Sequence, residues 1–225
     1  MMIATAITDP GTVPSRAFLK QTQGRNIDSI QSEHKNWMIN LRGYMVKLKY
    51  CDTCELVRPP RSIHCDDCGA CILVLDHHCP WVGSCVGKRN YRFFLLFVNS
   101  TGLLLAFYIG CIFANMQTMS VENDEESEEI GSLKEGYKES LRTSPVNLIL
   151  LVLCIVFSVF VFLLCFYHHF LLCIRQTTNE HLKHTFRRGM NPFKKTYCGY
   201  FSKICYRKKP KRLWKPKLKP RVLEQ

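Results

Sequence analysis

The sequence predicts an α-helical multi-pass membrane protein, with two recognisable transmembrane helices and a small cytosolic cysteine-rich domain. Three observations predict it. Two runs free of charged residues, Phe93 to Asn115 and Val146 to Ile174, are each long enough as helices to cross a hydrocarbon core of about 30 Å. Basic residues crowd the outer flanks of these runs: of thirty-one Lys and Arg, twelve precede Phe93, three lie between the runs and sixteen follow Ile174. Ten soft donors, seven cysteines and three histidines, fall within the thirty-five residues from Cys51 to Cys85.

Averages over the 225 residues conceal this division. A mean hydropathy of −0.07 and a net charge of +13 would suit a soluble basic protein and would raise nucleic acid as a partner. The basic residues bracket apolar runs instead of covering one soluble face, which disfavours that partner. By the positive-inside rule both termini are cytosolic, and the connection between the runs lies on the other side. Six of the thirteen cysteines are scattered singly outside the cluster, a pattern of reduced thiols and not of a secreted disulfide framework. Met1 to Ile7 is too short an apolar stretch, without a basic start, to read as a cleavable signal peptide.

The cluster supports a count. Cys51-x2-Cys54 and Cys65-x2-Cys68 have the spacing of zinc knuckles, and a structural zinc takes four N or S ligands. Two such ions use eight of the ten donors and leave one cysteine and one histidine. Asp76-His77-His78-Cys79 places a histidine within two residues of a thiol, beside a carboxylate that can fix its tautomer. That is the pattern of an activated nucleophile. The spacing leaves open a second reading, a zinc-bound interaction module in which all ten donors are structural or spare.

The stretch resembles the cysteine-rich domain of the DHHC protein S-acyltransferases (palmitoyltransferases), through Asp76-His77-His78-Cys79-Pro80-Trp81 and the following Cys85-Val86-Gly87-Lys88-Arg89-Asn90. The resemblance implies one structural zinc on Cys51, Cys54, His64 and Cys71 and a second on Cys65, Cys68, His78 and Cys85. The donors left over are then His77 and Cys79, in agreement with the count. It also implies palmitoyl-CoA or another acyl-CoA as the acyl donor, with Asp76, His77 and Cys79 as the catalytic residues.

Taken in order, residues 1–11 read as a helix end closed by the Asp9-Pro10-Gly11 turn. In the family such a tripeptide follows the second transmembrane helix, so the resemblance implies an N-terminally truncated chain. Residues 12–48 are polar, mixed in charge and without a sustained period, and read as a cytosolic linker. The zinc domain occupies residues 49–92. Within it, Arg58-Pro59-Pro60-Arg61 puts two guanidinium groups on a stiff loop, which suits the phosphates of coenzyme A. Residues 93–115 form the first span, whose Asn99-Ser100-Thr101-Gly102 patch suits helix packing and whose Cys111 reads as a buried small hydrophobe. Residues 116–145 form a connection with eight acidic and three basic residues, and residues 146–174 form the second span.

Residues 175–225 form a basic cytosolic tail. Thr177-Thr178-Asn179-Glu180 resembles the family's Thr-Thr-x-Glu motif, although such residues at a helix start more often cap than catalyse. The resemblance gives Thr178 the task of orienting Asp76, with Thr177, Glu180 and Asn191 in support. Asn191-Pro192 reads as a helix start, followed by apolar residues at helical spacing to Ile204 and a Lys, Arg and Pro-rich stretch from Arg207 to Arg221 suited to anionic lipid.

The expected function is protein-cysteine S-palmitoyl transfer through an acyl-Cys79 intermediate. The expected partners are the membrane and the cytosolic faces of substrate proteins carrying juxtamembrane or terminal cysteines, with an accessory subunit or homo-oligomer compatible. The expected location is the Golgi or endoplasmic reticulum membrane, with the active site cytosolic. The alternative is a catalytically inactive membrane-anchored zinc scaffold, motivated by the implied absence of the first two helices.

Overall fold

The computed structural model describes residues 1–23, 38–41, 43–124, 145–186 and 191–193. The chain forms two compact units, one made of Met1–Phe94 with Leu171–Gln225 and the other of Leu95–Phe170. Most of the acidic connection, Trp37, the helix expected beyond Asn191 and the Lys, Arg and Pro-rich stretch lie outside the described residues.

The first unit begins with α1 (Met2–Ile7), which ends where Thr8 turns extended. Asp9 then closes the expected turn, its carboxylate accepting from the amides of Gly11 and Thr12 at 2.9 Å each. Gly11 sits at φ 111°, which favours glycine. The turn feeds β1 (Thr12–Val13), which pairs antiparallel with β7 (Ala70–Ile72) and buries Val13 against Cys51, Cys54, Leu56 and Cys71.

Residues 12–48 are therefore more than a linker. Besides β1 they contain α2 (Arg16–Gln23) and a hairpin of β2 (Met38–Leu41) with β3 (Tyr44–Lys47). Asn40 Oδ1 accepts from the Gly43 amide at 2.8 Å, and Gly43 takes φ 85°. Elements of two to eight residues are too short to impress a period on the sequence, which is why none was legible.

Three further hairpins build the cysteine-rich core: β4 (Tyr50–Cys51) with β5 (Leu56–Val57), β6 (Ile63–Cys65) with β7, and β8 (His77–Cys79) with β9 (Ser84–Val86). They repeat at a fixed interval of fourteen residues. Cys51, Cys65 and Cys79 occupy one place, and Glu55, Gly69 and Gly83 another, with φ of 51°, 59° and 67°. The amides of Glu55, Gly69 and Gly83 each donate three residues back, to Asp52, Asp66 and Pro80, at 3.2 to 3.3 Å. The cross-strand pairs Tyr50–Val57, His64–Cys71 and His78–Cys85 also correspond.

The end of the core is pinned to α1 by Asn90, which is fully buried. Its amide donates to the carbonyls of Thr5 (3.1 Å) and Cys85 (2.9 Å) and accepts from the Gly87 amide (2.8 Å). Arg89 adds an ion pair with Asp9. A Cβ on Gly87 would lie 2.7 Å from both Ile72 Cγ2 and the Pro10 carbonyl, and backbone cannot yield as a side chain does. Gly87→Ala is accordingly expected to cost about 1–3 kcal/mol, read as a lowered midpoint of thermal unfolding in detergent.

The second unit consists of the membrane-length parts of α3 (Tyr91–Asp124) and α4 (Pro145–Ile174). Their apolar stretches, Tyr91–Ala114 and Ile149–Ile174, have mean hydropathies of 1.9 and 3.3. Phe107, Phe113, Phe157, Phe160 and Phe166 face outward, an arrangement that suits lipid and not water. Helix α3 runs nine residues into the expected connection, because Met116 to Asp124 contains neither Gly nor Pro to stop it.

As expected of the polar patch, Ser100 and Thr101 bond back to the Phe97 carbonyl at 2.9 Å each, and Gly102 admits Val161, Phe162 and Cys165 of α4. His169 Nε2–H donates to Asn99 Oδ1 across the helix pair at 3.0 Å. Cys111, expected to be buried, is exposed, since two helices alone cover little of each other.

Candidate active site and metal centres

The fourteen-residue repeat explains how two candidate metal sites arise from three hairpins. Each knuckle offers two thiols, and the next hairpin offers a His–Cys cross-strand pair. Cys51 and Cys54 thus meet His64 and Cys71, and Cys65 and Cys68 meet His78 and Cys85. Within each set all four ligand atoms lie within 4.8 Å of one another.

The donor geometry fits zinc. His64 Nδ1 lies 3.5, 3.3 and 3.8 Å from the sulfurs of Cys51, Cys54 and Cys71. His78 Nδ1 lies 3.6, 3.4 and 3.6 Å from those of Cys65, Cys68 and Cys85. A tetrahedral zinc with bonds of 2.0–2.3 Å has ligand-to-ligand edges of about 3.5–3.8 Å. Burial, with the neighbouring thiols, pushes Cys71 and Cys85 well above the usual thiol range, a situation that a bound cation relieves by taking thiolates. The other nitrogen of His64, Nε2, lies 3.6 Å from the exposed carboxylate of Asp66.

The third hairpin has a place for a knuckle thiol, Cys79, but Val82 stands where Cys54 and Cys68 stand in the others. Among the described residues no fourth hairpin follows to supply a His–Cys pair. Cys79 is buried and belongs to neither cluster. Strand alternation separates the adjacent histidines: in β8 His78 points to one face with its partner Cys85, while His77 and Cys79 share the opposite face. Sequence spacing counted one spare histidine without saying which; the two-residue period of a strand supplies the distinction.

Asp76 is 2% exposed, and every oxygen of its carboxylate is engaged. His77 Nδ1–H donates to Oδ2 at 2.8 Å, the Thr178 hydroxyl to Oδ2 at 2.6 Å, and the Thr178 amide to Oδ1 at 3.0 Å. Burial raises this carboxyl, but the hydrogen bonds from His77 and Thr178 outweigh it and leave it below the usual carboxylate range. With Nδ1 protonated toward Asp76, the lone pair of His77 sits on Nε2, the state of a general base. The ring packs edge-on against Phe94, with centroids 5.0 Å apart.

Thr178 reaches Asp76 because it opens α5 (Thr178–Leu182), whose first turn is fixed by a capping box. The Thr177 hydroxyl accepts from the Glu180 amide at 3.2 Å, and the Glu180 carboxylate accepts from the Thr177 amide at 2.9 Å. The Asn179 amide also donates to the Asp76 carbonyl at 3.1 Å. Asn191 supports the preceding turn, its side chain donating to the Arg175 carbonyl at 3.3 Å. The Thr-Thr-x-Glu element both caps and holds.

The Arg58-Pro59-Pro60-Arg61 loop divides its two arginines. Arg61 is turned onto Glu180 with two hydrogen bonds of 2.6 Å, so this edge of its guanidinium is committed within the protein and not offered to a phosphate. Sequence reasoning missed this pairing, since 119 residues separate the partners. Arg58 makes no such ion pair among the described residues, and its amide donates to the Lys49 carbonyl at 2.8 Å.

Comparison with known proteins agrees with this site. The sequence model described as DHHC palmitoyltransferase matches residues 45–185, well over half of the chain. The chain belongs to the DHHC palmitoyltransferase family. Palmitoyltransferase ZDHHC9 of Homo sapiens is 37% identical over 207 residues, covering 85% of this chain and 53% of that protein. Palmitoyltransferase ZDHHC18 of Homo sapiens is 36% identical over 205 residues, covering 85% and 50%. Palmitoyltransferase ZDHHC18-A of Danio rerio is 35% identical over 216 residues, covering 91% and 43%. The chain thus spans about half the length of the curated relatives it matches. As a DHHC family member it is a membrane protein with two apolar helices of spanning length among the described residues and a cysteine-rich cluster compatible with zinc.

Proposed function

We propose that this chain is a protein-cysteine S-palmitoyltransferase that carries the acyl group on Cys79. The observation that carries the reading is the joint placement of His77 and Cys79 on one face of β8, with His77 held by Asp76 and its neighbour His78 turned away into a metal centre. Zinc ions held by the two Cys3His sets would stabilise the hairpins that present these residues.

His77 Nε2 takes the proton of the Cys79 thiol, and Asp76 stabilises the imidazolium that forms. The Cys79 thiolate adds to the carbonyl carbon of the acyl-CoA thioester. The carbonyl carbon–sulfur bond to coenzyme A then breaks, and the departing thiolate takes the proton back from His77. In the second half, His77 deprotonates a substrate cysteine, whose sulfur displaces Cys79 from the acyl group. Thioester exchange is close to balanced, so proximity and thiolate formation supply most of the rate.

Arg58 is assigned to the phosphates of coenzyme A. Trp81, 88% exposed two residues from Cys79, suits the headgroup layer, where an acyl chain can stay in lipid while its carrier stays in water. The excess of basic residues outside the two spans supports a cytosolic active site, and an endomembrane of the Golgi or endoplasmic reticulum is the location assigned. Substrates are proteins with cysteines close to that membrane face, and an accessory subunit or second copy is the partner of the whole protein to be sought first.

The purified chain in micelles, given alkyne palmitoyl-CoA, is expected to take up a hydroxylamine-labile label and pass it to a cysteine peptide with ping-pong kinetics. Cys79→Ser is expected to lose the label. Full labelling of Cys79→Ser would sink the assignment.

A further inference from the structure

The bidentate pair of Arg61 and Glu180 lies outside the transfer chemistry, and its surroundings give it a task. Glu180 is 5% exposed, and one carboxylate serves three donors: Arg61 Nε on Oε1, Arg61 Nη2 on Oε2 at 2.6 Å each, and the Thr177 amide on Oε2 at 2.9 Å. The same guanidinium reaches the Arg175 carbonyl at 3.4 Å and lies 5.0 Å above the Phe193 ring. Arg61 itself is fixed from below. It follows two prolines at φ 63°, in a turn closed by the Ser62 amide on the Pro59 carbonyl at 3.0 Å, three residues before the metal-cluster histidine His64.

These contacts form one continuous path. Arg61, beside the turn that leads into His64, holds Glu180; Glu180 closes the capping box on Thr177; the next residue, Thr178, grips the Asp76 carboxylate with both its amide and its hydroxyl; and Asp76 holds His77. A partly buried, forked Arg–carboxylate pair is a strong and geometrically selective kind of ion pair. Placed at the start of a five-residue helix too short to be stable alone, it decides where that helix begins.

We infer that Arg61 is a positioning residue of the acyl-transfer site, acting through Glu180 to hold the start of α5 so that Thr178 orients Asp76 and His77. The inference rests on the acyl-transfer reading for its kinetic consequence, and on the structure alone for its geometric one. It replaces a phosphate-binding role for Arg61.

The test uses the full chain in micelles, with Arg61→Ala, Glu180→Gln, the double variant and the charge exchange Arg61→Glu with Glu180→Arg. Arg61→Ala and Glu180→Gln are each expected to slow acyl-Cys79 formation by about 10- to 100-fold with the KM for palmitoyl-CoA unchanged. The double variant is expected to be no worse than the poorer single one, and the charge exchange to recover part of the loss. Two zinc ions per chain should remain throughout. Hydrogen exchange at the Thr177, Thr178 and Asn179 amides should accelerate about tenfold in both single variants.

A rise in KM for palmitoyl-CoA in Arg61→Ala alone, with Glu180→Gln unaffected, overturns the inference in favour of phosphate binding. Strictly additive rate losses overturn it as well. If Arg61→Ala loses zinc, Glu180→Gln, which keeps the side-chain size, carries the test. If the unmodified chain takes no acyl group on Cys79, the acyl-transfer reading fails, and the exchange rates still judge the latch: unchanged protection at Thr178 overturns it.

Discussion

Cys85→Ser is expected to release one zinc ion per chain and to unfold the β8–β9 hairpin, abolishing Cys79 acylation with it. Cys85 is fully buried, faces His78 across the hairpin and belongs to one candidate metal-binding set with Cys65, Cys68 and His78. A structural zinc contributes on the order of 10 kcal/mol to folding, comparable with the whole stability of a small domain, so the loss is not a local one. The readouts are zinc content by atomic absorption and trypsin sensitivity between residues 72 and 90. Cys71→Ser is expected to do the same at the first centre. Acidification acts in the same direction: burial and the neighbouring thiols raise Cys71 and Cys85 in the metal-free fold, so protons compete with zinc for these sulfurs, and falling pH favours the protonated, metal-free state. Retention of two zinc ions in Cys85→Ser contradicts the ligand assignment.

Asp76→Ala is expected to slow acyl-Cys79 formation by about 10²–10⁴-fold while both zinc ions stay bound. The loss has two sources. Without the carboxylate, His77 Nδ1 has no acceptor to fix the tautomer that leaves a lone pair on Nε2. The Thr178 amide and hydroxyl also lose their acceptor, at a cost of about 1–3 kcal/mol, and the start of α5 loosens. Stopped-flow or quenched labelling with palmitoyl-CoA separates this from a zinc defect, which metal analysis reads independently. An Asp76→Ala variant that acylates at the parental rate contradicts the role given to the carboxylate.

Much of this site was legible in the sequence because its information is local. The Cys51–Cys54 and Cys65–Cys68 pairs are knuckles by spacing, and counting donors against two four-coordinate ions left one Cys–His pair. The two spans were legible for a similar reason, since a charge-free run of membrane length has few other uses. What spacing could not show was geometry. That His77 and not His78 joins Cys79 follows from alternation in β8, and a three-residue strand leaves too short a pattern to announce itself.

The fourteen-residue interval from Cys51 to Cys65 to Cys79 was present in the letters, and Val82 at the place of Cys54 and Cys68 marks Cys79 as a knuckle thiol without a metal. That signal could have found the nucleophile without any relative. The short elements of residues 12–48 carried no comparable sign, since β1 gains its burial only by pairing with β7 some sixty residues away. The Arg61–Glu180 pair was invisible for the same reason: its partners meet only because α5 returns to the cysteine-rich unit after both spans.

In the proposed mechanism Cys79 is the thiol that carries the acyl group, while the six other cysteines of the cluster serve as zinc ligands. Peptide mapping by tandem mass spectrometry, after brief exposure of the purified chain to palmitoyl-CoA, tests it most directly. One palmitoyl adduct is expected on the peptide containing Cys79 and none on Cys51, Cys54, Cys65, Cys68, Cys71 or Cys85. An adduct on any of those six with Cys79 unmodified, or no adduct from a chain that retains both zinc ions, would contradict it.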